Sequence, residues 1–291
     1  MTRSTIDPDE RLRRSAGIRS MQLGDTRVSY VPDGAVRLRP GDLIPDTTSD
    51  VWAAHPEYLD ESGSLVASIG GLLVENGDRA LLIDAGFGPQ SWPPAPDGPR
   101  GAIHGGALLD SLAELGRKPE EIEAVAFTHL HPDHTGWAWH PAPGADRPAF
   151  AHADYLVSEP EWARRDLLEA QEVAGLAPSI RTVADGQEIF PGVRMRITAG
   201  HSPGHAEYVI TSGGQRLIAF GDALHSPIQV DHPEWSTTFD HDPARSAAHR
   251  RQLVAELTEP DTIGFGIHFA DVVFGEVRPD GDRPAWRSLD A

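Results

Sequence analysis

The sequence predicts an α+β protein built as a four-layer αββα sandwich, with two sheets packed face to face and helices on their outer surfaces. Three observations predict it. Apolar runs of strand length come in two sets, one in each half of the chain. A helical stretch accompanies each set. Side chains able to ligate metal end or follow these runs, so loops from both halves are expected to converge at one edge of the sandwich.

Residues 1–20 carry Arg3, Arg11, Arg13, Arg14 and Arg19 with no apolar run. They are expected to form an N-terminal extension, a mobile arm or an edge-packing segment, ahead of one domain over 21–291. Val28-Ser29-Tyr30-Val31 alternates as a first strand, ended by Pro32-Asp33-Gly34. Residues 37–62, with Pro40, Pro45 and Pro56, read as a long irregular segment. Leu65 to Val74 and Ala80 to Ile83 are strands joined by the Asn76-Gly77-Asp78 turn. Gly86 to Pro96 is too rich in Gly and Pro for regular structure and is expected near a site mouth.

Leu108, Leu109, Leu112 and Leu115 recur at helical spacing, with Gly116 as the stop. Ala124 to Phe127 is a short buried strand. Ser158, with Glu161 three residues on, caps a helix expected to run to about Ala174. Strands are expected near 193–198, 206–211 and 216–220. Asp242-Pro243 then opens a helix with Ala247, Ala248, Val254 and Leu257 inward, and the last strands fall near 262–266 and 272–277.

The chain has 291 residues and a formal net charge of −19, which repels phosphate backbones and acidic membranes. Nucleic acid is excluded as a partner class on that ground. Without cysteine there is neither a disulfide framework nor a thiolate metal site. Residues 1–20 lack the apolar h-region expected of a signal peptide, and no run reaches the roughly 18 apolar residues of a membrane span, so a cytoplasmic location is expected.

The chemistry is concentrated in Thr128-His129-Leu130-His131-Pro132-Asp133-His134-Thr135-Gly136. Alternation along an extended segment puts His129 and His131 on one face, and Pro132 begins a turn that swings Asp133 and His134 toward a second position. Gly200-His201-Ser202-Pro203-Gly204-His205, Phe220-Gly221-Asp222 and Gly266-Ile267-His268 supply further donors. Imidazole nitrogen and carboxylate oxygen suit zinc first, with manganese, cobalt or iron as alternatives.

The order His129-x-His131-x-Asp133-His134, His205, Asp222, His268 resembles the metallo-β-lactamase superfamily in its two-metal members. The run Gly200 to Asp222 is similar to the branch holding N-acyl homoserine lactone lactonases and methyl-parathion hydrolase. The resemblance covers nearly the whole chain and implies two divalent metal ions. One would be held by His129, His131 and His205, and the other by Asp133, His134 and His268. Asp222 would bridge them. Asp84 matches an acid that supports the ligand loop without binding metal.

A hydroxide held between the ions would then be the nucleophile, as no G-x-S-x-G elbow is present. The activity implied is cleavage of a carboxylic ester or lactone, with phosphotriester hydrolysis as the alternative and an inactive metal-loaded binding module as the non-enzymatic one. The resemblance implies Asp133 and Asp222 as the catalytic carboxylates. His225 stands where related lactonases place a tyrosine and is expected to assist the leaving group or orient the substrate. His201 is expected to be a loop hydrogen-bonder. Trp52, Phe87, Trp92, Trp137, Trp139 and Trp235 are candidates to border an apolar cleft. A homodimer is implied by the resemblance alone.

Overall fold

The computed structural model describes residues 8–289. Its first sheet holds β1 (Arg19–Leu23), β2 (Thr26–Leu38), β3 (Leu65–Asn76), β4 (Arg79–Ile83), β5 (Ser91–Trp92), β6 (Arg100–His104), β7 (Ala124–Ala126), β8 (Asp154–Ser158) and β9 (Ile180–Val183). The strands lie in the order β5-β6-β2-β3-β4-β7-β8-β9, with β1 paired to β2, and β4, β7, β8 and β9 run parallel. The second sheet holds β10 (Glu188–Phe190), β11 (Val193–Ile197), β12 (Ala206–Ser212), β13 (Gln215–Ala219), β14 (Thr262–Phe265), β15 (Phe274–Asp280) and β16 (Arg283–Ser288), in chain order across the sheet.

Side-chain alternation creates the layers. Leu81 and Ile83 of β4 join Val28, Tyr30, Leu72 and Val74 in facing Met195, Tyr208, Ile210, Leu217 and Phe265 of the second sheet. Leu82 points the other way, with Leu73, Val125 and Tyr155, against Leu108 and Leu112 of the helix Leu108–Glu114 and Trp137 of the helix Pro132–Trp139. Ile218 and Phe220 face outward from the second sheet onto Leu253, Val254 and Leu257 of the helix Pro243–Leu257. Helices, sheet, sheet and helices make the four expected layers.

Several local expectations are corrected. β2 continues through Pro32-Asp33-Gly34 to Leu38, with a register shift between Pro32 and Gly34 absorbing the proline. Pro132 starts a helix rather than a turn, because at its first position proline loses no needed hydrogen bond. The helix capped by Ser158 breaks into Glu159–Ala163, a 3₁₀ turn and Ala170–Leu176. Residues 37–62 contain short helices at Pro40–Leu43 and Ser49–Ala54, and Ala248 is exposed on its helix. The domain boundary expected after residue 20 falls inside β1, which pairs with β2; residues 1–7 of the extension lie outside the described residues.

The ends of β4, β7, β13 and β14 and the β11–β12 loop meet at one edge. The Ala206 N–H donates to the Thr128 carbonyl at 2.8 Å, stitching the two sheets together where the histidines begin.

Candidate metal centre

His129 follows β7 by three residues, and His131, in extended backbone, is the N-cap of the helix Pro132–Trp139. Asp133 and His134 therefore sit on its first turn, on the same side of the edge as the two histidines before them. Asp222 lies in a tight turn after β13 that Gly221 permits. Gly221 has φ 50°, and a Cβ there would stand 2.8 Å from His205 Nε2. His268 occupies the loop after β14.

These residues fall into two groups whose donor atoms lie close together. One is His129, His131, His201 and Asp222, and the other is Asp133, His134 and His268. The Asp222 carboxylate is divided between them. Its Oδ1 is 3.0 Å from His268 Nε2 and 3.2 Å from His134 Nε2. Its Oδ2 is 3.3 Å from His201 Nε2 and 3.7 Å from His129 Nε2. Asp133 completes the second group, 3.6 Å from His268 and 3.9 Å from His134.

The place expected for His205 in the first group is taken by His201. Both nitrogens of His205 are already engaged: Nδ1 pairs with Thr198 Oγ1 at 3.0 Å, and Nε2 accepts the Asp222 N–H at 3.1 Å. His201 turns the opposite way. Its Nδ1 meets Asp240 Oδ1 at 3.1 Å, and its Nε2 lies 3.1 Å from His131 Nδ1. His205 thus supports the backbone of Asp222 from beneath, and His201 faces the group.

His134, His201 and His268 are each oriented by a partner on the far ring nitrogen. Asp84 Oδ2 holds His134 Nδ1 at 2.9 Å and Thr128 Oγ1 at 2.9 Å, as expected of a supporting acid. His268 Nδ1 donates to the Ser68 carbonyl at 2.8 Å. The supports that sequence reading missed are Asp240, which also pairs with the buried Arg250, and Glu161. The latter accepts from Leu130 N, Ser202 Oγ and Gly204 N, tying the two histidine loops together. Glu161 was visible only as a helix-cap partner, and Asp240 carried no signal.

Burial pushes His129 well below the ordinary imidazole range, with His134 and His131 adding to it, and burial with His201 pushes His131 down to about 3. Burial also acts against protonation of His134 and His268, but Asp222 leads a set of carboxylates that more than reverses it. Burial raises Asp222, and His268, His134, His225 and His129 outweigh that to hold it well below the carboxylate range. Asp222 is therefore held ionised and His129 and His131 neutral, the state in which such ligands bind cations, while the carboxylates pull His134 and His268 toward their protonated form.

The donor set fits divalent ions on a second observation. His129 Nε2, His134 Nε2 and Asp222 Oδ1 are buried and make no hydrogen bond, although buried polar atoms ordinarily find a partner. All three belong to residues of the two donor groups. Beside them opens a cavity of about 230 Å³ whose polar end is His131, Asp133, Asp222, His225 and His268. Its remaining walls are mostly apolar, formed by Val36, Leu38, Phe87, Trp92, Ile103 and Phe239, with Arg100 beside Trp92. Of the six aromatic candidates for the cleft, Phe87 and Trp92 line it; Trp137 is core, its Nε1 donating to Asp33.

A layered sandwich with histidines and aspartates gathered at one edge is the architecture of a metallohydrolase class. The sequence profile of the Metallo-beta-lactamase superfamily matches residues 72–266, and the chain belongs to that superfamily. It is similar to an N-acyl homoserine lactonase of Bacillus cereus, 24% identical over 201 residues that cover 65% of this chain and 76% of that one. An N-acyl homoserine lactonase of a Bacillus sp. is 24% identical over 157 residues, and there the match spans 59% of the relative. Among solved structures, AidC, a dizinc quorum-quenching lactonase in complex with a homoserine product, superposes with a TM-score of 0.80 at 20% identity, covering 94% of this chain and 98% of that one. The hydrolase AbOPH of the β-lactamase superfamily gives 0.78 at 25% identity, covering 95% and 99%. Among the described residues no helix is long and apolar enough to cross a membrane.

Proposed function

We propose that this protein is a dinuclear metallohydrolase that opens lactones or cleaves carboxylic esters carrying an apolar acyl group. The observation that carries the reading is the division of Asp222 between two donor groups at the polar end of an apolar cavity. His129, His131 and His201 would hold one ion, and Asp133, His134 and His268 the other, with Asp222 shared; zinc suits these donors best. Bound there, the ions would supply Lewis acidity and activate water at neutral pH.

The chain's own residues do the rest. Val36, Leu38, Phe87 and Ile103 take up the acyl group and exclude water, with about 25 cal/mol gained per Å² of apolar surface buried. His225 lines the same cavity, its Nε2 3.2 Å from Asp222 Oδ2, and neither ring nitrogen makes a hydrogen bond. Burial lowers its pKa against the opposing pull of Asp222, so the ring is neutral and has one N–H to offer. It is placed to orient the substrate oxygen and to stabilise the leaving alkoxide by donating that N–H as a hydrogen bond.

Elemental analysis of protein purified without added metal, paired with a panel of homoserine lactones, aryl esters and paraoxon-type phosphotriesters, tests this. The expected result is two ions per chain and fastest turnover on a lactone or aryl ester. Fastest turnover on a phosphotriester would move the assignment to that class, and two ions with no turnover on any member would leave a binding module.

A further inference from the structure

The loop from Gly266 to Val273 that presents His268 has a conformation its own sequence does not explain. Ala270 has φ 44°, a region that side chains with a Cβ avoid. The side chain of Asp271 is only 1% exposed, and a buried carboxylate is costly unless it is paired. What holds both comes from elsewhere in the chain.

Ser68 of β3 is one anchor. Its carbonyl accepts His268 Nδ1, its Oγ donates to the Ala270 carbonyl at 2.8 Å, and the same Oγ accepts the Ala16 N–H at 2.8 Å. The N-terminal segment is the other. Arg14 gives Asp271 Oδ2 two hydrogen bonds, of 2.9 and 2.6 Å, and Arg19 Nη2 reaches Oδ1 at 2.5 Å. Arg11 Nε donates to the Asp271 carbonyl at 3.0 Å, and the Asp271 N–H returns a bond to the Arg11 carbonyl. Arg11, Arg14 and Arg19 thus grip the loop within three positions of a metal-facing histidine, across more than 250 residues of sequence, and Ala16 holds the Ser68 anchor.

We infer that the segment Arg11 to Arg19 is a positioning clamp for His268, with Arg14, Arg19, Ser68 and Asp271 as positioning residues that set how the ring meets the second donor group. This rests on the reading of His268 as a ligand. Asp271 and Ser68 are buried, but the Arg14 and Arg19 side chains are 37% and 25% exposed, so replacing them opens no core cavity.

The experiment is zinc titration of the metal-free full chain against a chelator, with thermal melting alongside. In the native sequence two ions should bind. In Arg14→Gln/Arg19→Gln, and separately in Ser68→Ala, one affinity should fall by about 10- to 100-fold, the range for groups that orient ligands, while the other is unchanged. Arg14→Lys/Arg19→Lys, which keeps the charges, should recover most of the loss. Both affinities unchanged beside a lowered Tm would overturn the clamp and leave a purely structural tie. If the double variant does not fold, Arg14→Gln alone carries the same comparison. Fewer than two ions in the native chain would instead sink the dinuclear reading itself, a result distinct from failure of the clamp.

Discussion

Asp84 holds His134 through a 2.9 Å hydrogen bond between two buried side chains, Oδ2 accepting from Nδ1. Because that bond occupies Nδ1, only Nε2 is left to face Asp222 and Asp133. The orientation of one imidazole thus depends on a carboxylate 50 residues away in sequence.

Asp84→Asn tests that dependence. Asn tolerates the left-handed backbone found here, φ 61°, so the fold should survive. The lost charge and weakened bond should reduce kcat/KM and affinity for one of the two ions by about 10- to 100-fold. Unchanged metal titration curves would contradict the assigned role.

His201 and His205 separate cleanly. His201→Ala should remove a ligand and lower the metal content toward one ion per chain. His205→Ala should keep two ions and instead cost about 1–3 kcal/mol of stability, because the buried Asp222 N–H loses its acceptor. Metal counts and urea denaturation of the two variants decide it; the reverse pattern would restore His205 as the ligand.

Filling the cavity should act on substrate length. Ile103→Trp adds bulk to a space of about 230 Å³, and KM for long-chain acyl substrates should rise about tenfold. Acetyl esters should be little affected. An equal rise for both would place the acyl group elsewhere.

Removing the ions should lower Tm, because cations that bind only the folded chain stabilise it by mass action. Differential scanning calorimetry before and after chelation, with recovery on adding zinc, measures this. A melting curve indifferent to chelator would be inconsistent with ions among these buried donors.

Away from the centre, Glu256 predicts an acid-side effect. Burial raises its pKa, but hydrogen bonds from Arg196 and the nearby Arg216 outweigh it and hold the carboxyl below the ordinary range. A depressed folded-state value means its stabilisation is present above the unfolded value and lost as pH falls through the folded one. With the side chain 23% exposed, Glu256→Gln should cost about 1 kcal/mol at pH 7, and the difference from the native protein should shrink as pH falls below the unfolded glutamate value and vanish below the lower folded one. Denaturation midpoints across pH give the comparison.

Much of the fold could be read from periodicity. Ala80 to Ile83, an apolar run after a turn signal, was expected as a strand and is one, and the helix opened by Asp242-Pro243 begins as expected, with the Asp242 side chain accepting the Arg245 N–H. β2 was cut short because Pro32 and Gly34 signal a turn, whereas pairing with β3 on one side and β6 on the other tolerates a bulge there. β8, β9, β10 and β16 are short or polar and gave no period to count. The N-terminal arginines looked unattached because their partner, Asp271, lies at the far end of the chain.

By itself the sequence determined which chemical groups are available and roughly where strands end, since those follow from residue type and local spacing. It placed six of the seven expected ligands within the two donor groups. The choice between His201 and His205 was left to the tertiary structure. The two stand four residues apart in one loop, and what separates them is the hydrogen bond each makes with its other nitrogen, to Asp240 in one case and Thr198 in the other. A ring's direction is set by partners that only folding brings near.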